Sequence, residues 1–128
     1  MNVVVVDSSS WISYFKGQGS SSLDEALKEG RVFLSPIVAA ELLSAKLSEQ
    51  KRSELLDFLL ELPLCEGSFA HWSRVGQSRA DLFRRGLSVS TPDAHVAQCA
   101  LDLEGYLLTE DAIFRKIAKV SALKLVEP

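Results

Sequence analysis

Residues 3–9 read Val-Val-Val-Val-Asp-Ser-Ser. Four β-branched residues in a row, ended by a carboxylate, predict a strand buried on both faces, the kind that belongs to a parallel sheet. An aspartate at the end of such a strand must be paired, hydrogen-bonded to a helix start or bound to a cation. Outward from this strand, helix and strand signals alternate. Ser8 or Ser9 can cap a helix running to about Lys16, and residues 17–22 form a Gly/Ser loop. Ser22-Leu23-Asp24-Glu25 fits a capping box whose short helix closes at Gly30. Residues 31–34 predict a second strand, and Ser35-Pro36 opens a helix with the serine as cap. Two amphipathic helices follow, over about residues 48–62 and from the cap Ser68 to Arg85. Residues 64–66 predict a short strand between them. Thr91-Pro92-Asp93 opens a helix to Leu103, residues 106–108 predict a strand, residues 111–118 a short helix and residues 123–126 a last strand. Alternating elements of this kind imply one domain over residues 1–128, of class α/β. The expected architecture is three α/β/α layers around a mostly parallel sheet of four or five strands. Ligands of such sheets bind at the carboxyl ends of the strands.

The chain has 128 residues, 47% hydrophobic and 24% charged, which excludes a disordered or low-complexity protein. The net charge of −3 weighs against a module that holds nucleic acid by charge alone. It leaves room for a phosphodiester enzyme whose carboxylates bias the total. No apolar run approaches the ~20 residues that span a bilayer, so no membrane role is expected. The first apolar run lacks a basic flank and is interrupted by Asp7, so no signal peptide is expected either. Cys65 and Cys99 make no disulfide framework, and a cytoplasmic protein with reduced thiols is expected.

Four carboxylates fall at or beside the predicted carboxyl edge of the sheet. Asp7 follows the valine run; alone, it also reads as a helix cap. Glu41 is the single charge in the segment over residues 36–45. Either it is held inside a buried helix by a compensating partner, or it lies on that helix's one wet stripe. Asp93 falls in a first helical turn, where the macrodipole favours a negative charge. Asp111 follows the strand over residues 106–108 and also reads as part of a helix start, with Thr109 as cap. Converging there, four ionised groups repel one another and raise some of their own pKa values. Hard divalent cations relieve that repulsion and leave coordination sites for a phosphate. Removing those four charges from −3 leaves the rest of the chain at +1.

The segments that carry these residues resemble, in order, the acidic blocks of PIN domains. They are Asp7-Ser8-Ser9 with Trp11-Ile12; residues 35–42 around Glu41; Pro92-Asp93-Ala94-His95-Val96-Ala97 with Ala100; and Leu108-Thr109-Glu110-Asp111 with Phe114. Length and the lack of an added domain resemble most the VapC-type toxins of toxin–antitoxin pairs. The resemblance implies a metal-dependent endoribonuclease with Asp7, Glu41, Asp93 and Asp111 as its acidic site. It implies Asp7 and Asp93 as principal metal ligands, Glu41 and Asp111 as further ones, and Ser8 and Thr109 as supporting hydroxyls. The implied cofactor is Mg²⁺, with Mn²⁺ as an alternative. The expected mechanism is attack of a metal-activated water on phosphorus, leaving a 5′-phosphate and a 3′-hydroxyl. The implied partners are RNA, a cognate antitoxin and a second copy in a homodimer. His95 departs from the family pattern, which commonly has an apolar residue there.

Other readings of the chain are a phosphoacceptor receiver domain and an inactive binding protein on the same scaffold. A receiver needs an acidic pair after the first strand, whereas Asp7 is followed by serines. Gly17-x-Gly19 lacks the third glycine of a dinucleotide loop. His95 and Cys99 lie one helical turn apart, but with His71 they make no recognised zinc spacing, and Cys65 reads as a core residue. Trp11, Tyr14 and Phe15 read as core or near-core. Arg84 and Arg85 suit a solvated helix C-terminus, with a place on an RNA path as the alternative.

Overall fold

The computed structural model describes residues 2–127. The valine run forms β1 (Val4–Val6), buried along its whole length. It is followed by α1 (Ser8–Phe15), α2 (Ser21–Lys28) and β2 (Val32–Phe33). Then come α3 (Pro36–Leu43), α4 (Glu49–Leu60), α5 (Phe69–Arg84), α6 (Thr91–Asp102), β3 (Tyr106–Leu108) and α7 (Ala112–Lys119). The strands make one parallel sheet in the order β2-β1-β3, with Val4 opposite Val32 on one side and Tyr106 on the other. The chain leaves β1 toward one edge to make β2 and returns on the other side of β1 to make β3. The carboxyl ends of β1 and β3 are therefore the switch point where α/β sheets bind ligands.

Fewer full strands form than the four or five expected. The two outer candidates each make a single bridge, Leu34 with Leu64 and Leu107 with Leu125. Pro63 has no N–H for a ladder and directly precedes Leu64. The three-layer α/β/α arrangement itself stands. α6 packs on β1, β3, α3 and α5, and every side chain from Ala94 to Ala100 is buried. It is the central helix of the molecule. The entry to β3 depends on Gly105, where an added Cβ would lie 2.4 Å from the Val3 carbonyl oxygen. Only glycine lets the chain pass so close to β1.

Helix caps differ from the sequence reading in detail. α2 is capped by Ser20, whose hydroxyl accepts the Leu23 N–H, rather than opening with a box at Ser22. α6 is capped by Ser90, which accepts the Asp93 N–H. Ser35 and Ser68 cap α3 and α5 where expected. Trp11 is fully buried, stacked on Phe15 and edge-to-face with Phe58, but Phe15 is itself exposed at the rim of that cluster. Among the described residues no helix is long and apolar enough to cross a membrane.

Candidate active site

Asp7 occupies the position before α1, yet its side chain makes no capping bond to that helix. It is buried and accepts two hydroxyl hydrogen bonds on one oxygen instead. Thr109 donates to Oδ2 at 2.9 Å and Ser9 donates to the same atom at 3.1 Å. The cap reading of Asp7 therefore fails. The hydroxyls beside it are those of Ser9 and Thr109; Ser8, expected as a support, makes no such bond among the described contacts. Ser9 also accepts the Glu110 N–H at 3.0 Å, tying the start of α1 to the end of β3. This bracing leaves Oδ1 of Asp7 outside the hydroxyl pair.

Glu41 is exposed. Of the two readings open in the sequence, the wet stripe is correct: Pro36, Ala40, Glu41 and Ser44 line the open side of α3. Glu41 is nonetheless not an isolated surface charge. Partial withdrawal from water raises its pKa, and the charges of Asp7 and Asp93 raise it further. Asp93 behaves alike. Partial burial raises its pKa against a hydrogen bond from Ser90 that lowers it, and the charges of Asp111 and Asp7 add to the rise. Asp111 is exposed and caps α7 in place of the expected Thr109, accepting the Ile113 N–H at 3.2 Å, while Thr109 accepts the Asp111 N–H at 3.0 Å. Glu41 thus feels the charges of Asp7 and Asp93, and Asp93 those of Asp111 and Asp7, so Asp93 links the four carboxylates around the ends of β1 and β3. Local sequence places each one: the strand end for Asp7, the open stripe of α3 for Glu41, the first turn of α6 for Asp93 and the cap of α7 for Asp111.

No cation lies among these groups in the form of a lysine or arginine partner; none of the four makes a salt bridge among the described residues. An all-oxygen, multiply negative donor set with unrelieved repulsion suits a hard divalent ion. Beside it, a cleft of about 390 Å³ opens between α1, α2 and β3, lined by Ser10, Gln18, Ser20, Thr109, Glu110 and Arg115. Arg84 and Arg85 lie elsewhere: Arg84 pairs with Asp81, and Arg85 donates to the Val120 carbonyl at 2.6 Å.

A second polar cluster was not foreseen from spacing. His71 of α5 and His95 and Cys99 of α6 are all buried and lie together. His71 Nδ1 is 2.7 Å from Asp102 Oδ2, and His71 Nε2 is 2.7 Å from His95 Nδ1. His95 Nε2 is 2.8 Å from the Ser35 hydroxyl, the cap of α3. Residues 71 and 95 are 24 apart, and only the packing of α5 on α6 brings them face to face. The i, i+4 pair His95 and Cys99 was the signal available in the sequence.

The family model described as PIN domain matches residues 4–120. Among solved structures, the chain is similar to DNA-bound VapBC from Salmonella typhimurium, with TM-score 0.80, 20% identity and 98% of each chain covered. VapBC2 from Rickettsia felis, bound to a DNA fragment from its promoter, gives 0.76 at 20% identity over 97% of each chain. FitAcB from Neisseria gonorrhoeae gives 0.65 at 18% identity over 98% of each chain. Among curated proteins no sequence matches.

Proposed function

The chain belongs to the PIN domain family, and on that premise we propose that it is a metal-dependent endoribonuclease, the toxin of a toxin–antitoxin pair. The observation that carries this reading is the set of linked charges on Asp7, Glu41, Asp93 and Asp111, which adds to partial burial in raising the pKa of Glu41 and Asp93 and has no basic partner. Asp7 and Asp93 would be the principal ligands of Mg²⁺ or Mn²⁺, with Glu41 and Asp111 completing the acidic ring. When bound, such an ion acts as a Lewis acid on water and phosphate.

The chain's own residues do the rest. Ser9 and Thr109 fix the Asp7 carboxylate through Oδ2, so Oδ1 is held for ligation without rotation. Glu41, exposed and of raised pKa, accepts the proton of the attacking water. Attack on phosphorus breaks the bond to the 3′ oxygen, which takes a proton from solvent. The products are a 5′-phosphate and a 3′-hydroxyl. We assign to Arg115, which lines the cleft that shares Thr109, the contact with a neighbouring phosphate.

Partners follow the same premise. The similar solved structures named above include VapBC assemblies from two bacteria. We assign this chain a protein antitoxin and a homodimeric, cytoplasmic working form. The deciding experiment incubates the purified chain with RNA in Mg²⁺, in Mn²⁺ and in EDTA, beside Asp93→Asn. Cleavage is expected with either ion and not in EDTA or in the variant. Cleavage that survives EDTA rules out the metal-dependent reading. Folded wild-type chain that binds Mn²⁺ but leaves RNA intact would make it an inactive binding protein.

A further inference from the structure

We propose that His71, His95, Cys99 and Cys65 form a second metal site, for a thiophilic divalent cation of the zinc class, separate from the acidic ring. The nitrogen and sulfur donors of His71, His95 and Cys99 lie within 4.8 Å of one another. Cys99 Sγ is 3.9 Å from His95 Nδ1, the nitrogen that faces His71, and 3.5 Å from Nε2, the nitrogen that faces Ser35. Cys65 is the other buried thiol, and its influence, with burial, pushes the Cys99 thiol up, which makes it the candidate fourth donor. Imidazole and thiolate are the ligands zinc selects, four at a time, in structural sites.

The surroundings are those of ligands already oriented. Metal-binding histidines characteristically hold their other nitrogen in a hydrogen bond to a carboxylate, carbonyl or hydroxyl. Both histidines do so here, through Asp102 and Ser35. Asp102 is itself clamped by Arg74 at 2.8 and 3.0 Å and by Gln98 at 2.9 Å. The proton pattern follows from these partners. Asp102 can only accept, so His71 donates from Nδ1 and turns a bare Nε2 lone pair inward. His95 then donates from Nδ1 to that lone pair, and Nε2 accepts from Ser35. Without an ion, a single proton lies where a cation would sit.

The charges also close. A divalent ion with two thiolates is neutral, and Asp102 with Arg74 is a neutral pair, so the buried site carries no net charge. Loading moves the His95 proton from Nδ1 to Nε2, where the Ser35 oxygen accepts it, and releases one proton from each thiol. Two protons therefore leave per ion bound. The Trp72 ring stacks on His95 at 4.7 Å and closes one side, so the ion enters during folding or through an opening of α5 from α6.

The test refolds the reduced full chain with Co²⁺ and then displaces the cobalt with Zn²⁺. One equivalent of Co²⁺ is expected, with the intense visible bands of a tetrahedral site and a thiolate-to-cobalt band in the near ultraviolet. Zn²⁺ should abolish both, excess Mg²⁺ should not, and Asp93→Asn should keep them. Two protons per ion should be released in an unbuffered titration with Zn²⁺. Cys99→Ser, close in size, should lose the charge-transfer band while keeping its far-ultraviolet circular dichroism. If Cys99→Ser does not fold, the wild-type spectrum still decides. Absence of tetrahedral bands in folded wild type, or bands that vanish in Asp93→Asn, overturns the proposal and leaves a purely protonic network.

Discussion

Two polar clusters lie on either side of one helix turn. Asp93 belongs to the acidic ring, and His95, two residues on, belongs to the histidine cluster. The acidic ring is partly wet, like-charged and without basic partners. The histidine cluster is dry, and every polar atom in its chain from Asp102 to Ser35 has a partner. The first stores repulsion that a cation can relieve, at the expense of the free protein's stability. The second has its charges compensated within the fold. The same helix thus carries one site built to gain a ligand from solution and one whose neighbours are complete whether or not an ion sits between the two rings.

The largest contrast is expected from Asp7→Asn. RNA cleavage should fall to background, while the melting temperature in EDTA should hold or rise, because one of several like charges is gone. A marked loss of stability in EDTA would return Asp7 to a structural role and break the comparison.

Acid should act on the two clusters with opposite sign. Burial, with the neighbouring His71, lowers the His95 pKa from 6.5 to about 4. Between those values the unfolded chain holds the extra proton, so stability falls as pH drops through that window and levels off below it. The full effect is about 3 kcal/mol. Glu41 and Asp93 have raised folded-state values, so they take up protons earlier in the folded chain. Their repulsion fades as pH falls through those values, which adds stability. Chemical unfolding in EDTA at pH 7 and pH 4.5 separates the two. His95→Gln should flatten the acid loss, and Glu41→Gln should steepen it. Equal profiles in all three proteins would mean that neither cluster titrates with the fold.

A smaller effect concerns the cation itself. Mg²⁺ or Mn²⁺ should raise the melting temperature by mass action, and Glu41→Gln should reduce that shift without abolishing it. An unchanged shift would remove Glu41 from the ring.

The smallest effect separates two groups of arginines. Arg115→Ala should flatten the slope of log K for RNA against log salt by about one counterion unit. Arg84→Ala with Arg85→Ala should leave it unchanged, because those side chains are engaged with Asp81 and Val120. Measurements in Ca²⁺ limit cleavage, and a shallower slope in the double variant would place α5 on the RNA path.

The sequence by itself determined the alternation of elements, the central strand and the order of the acidic blocks. Those signals are local: a β-branched run, serine caps and carboxylates next to strand ends. Ser35 and Ser68 are capping residues that any sequence window shows. The Glu41 question could not be closed the same way. α3 is apolar almost all round, so its wet stripe is set by which neighbours pack on it rather than by periodicity. The hydroxyl beside Asp7 likewise depended on the rotation of α1, which turns Ser9 rather than Ser8 toward Thr109. The outer strands shrank to single bridges because strand pairing is a long-range property. Most of all, the histidine cluster exists only through α5 packing against α6. Its members come from residues 35, 71, 95, 99 and 102. Chain spacing carries no record of a contact that two helix faces create when they close.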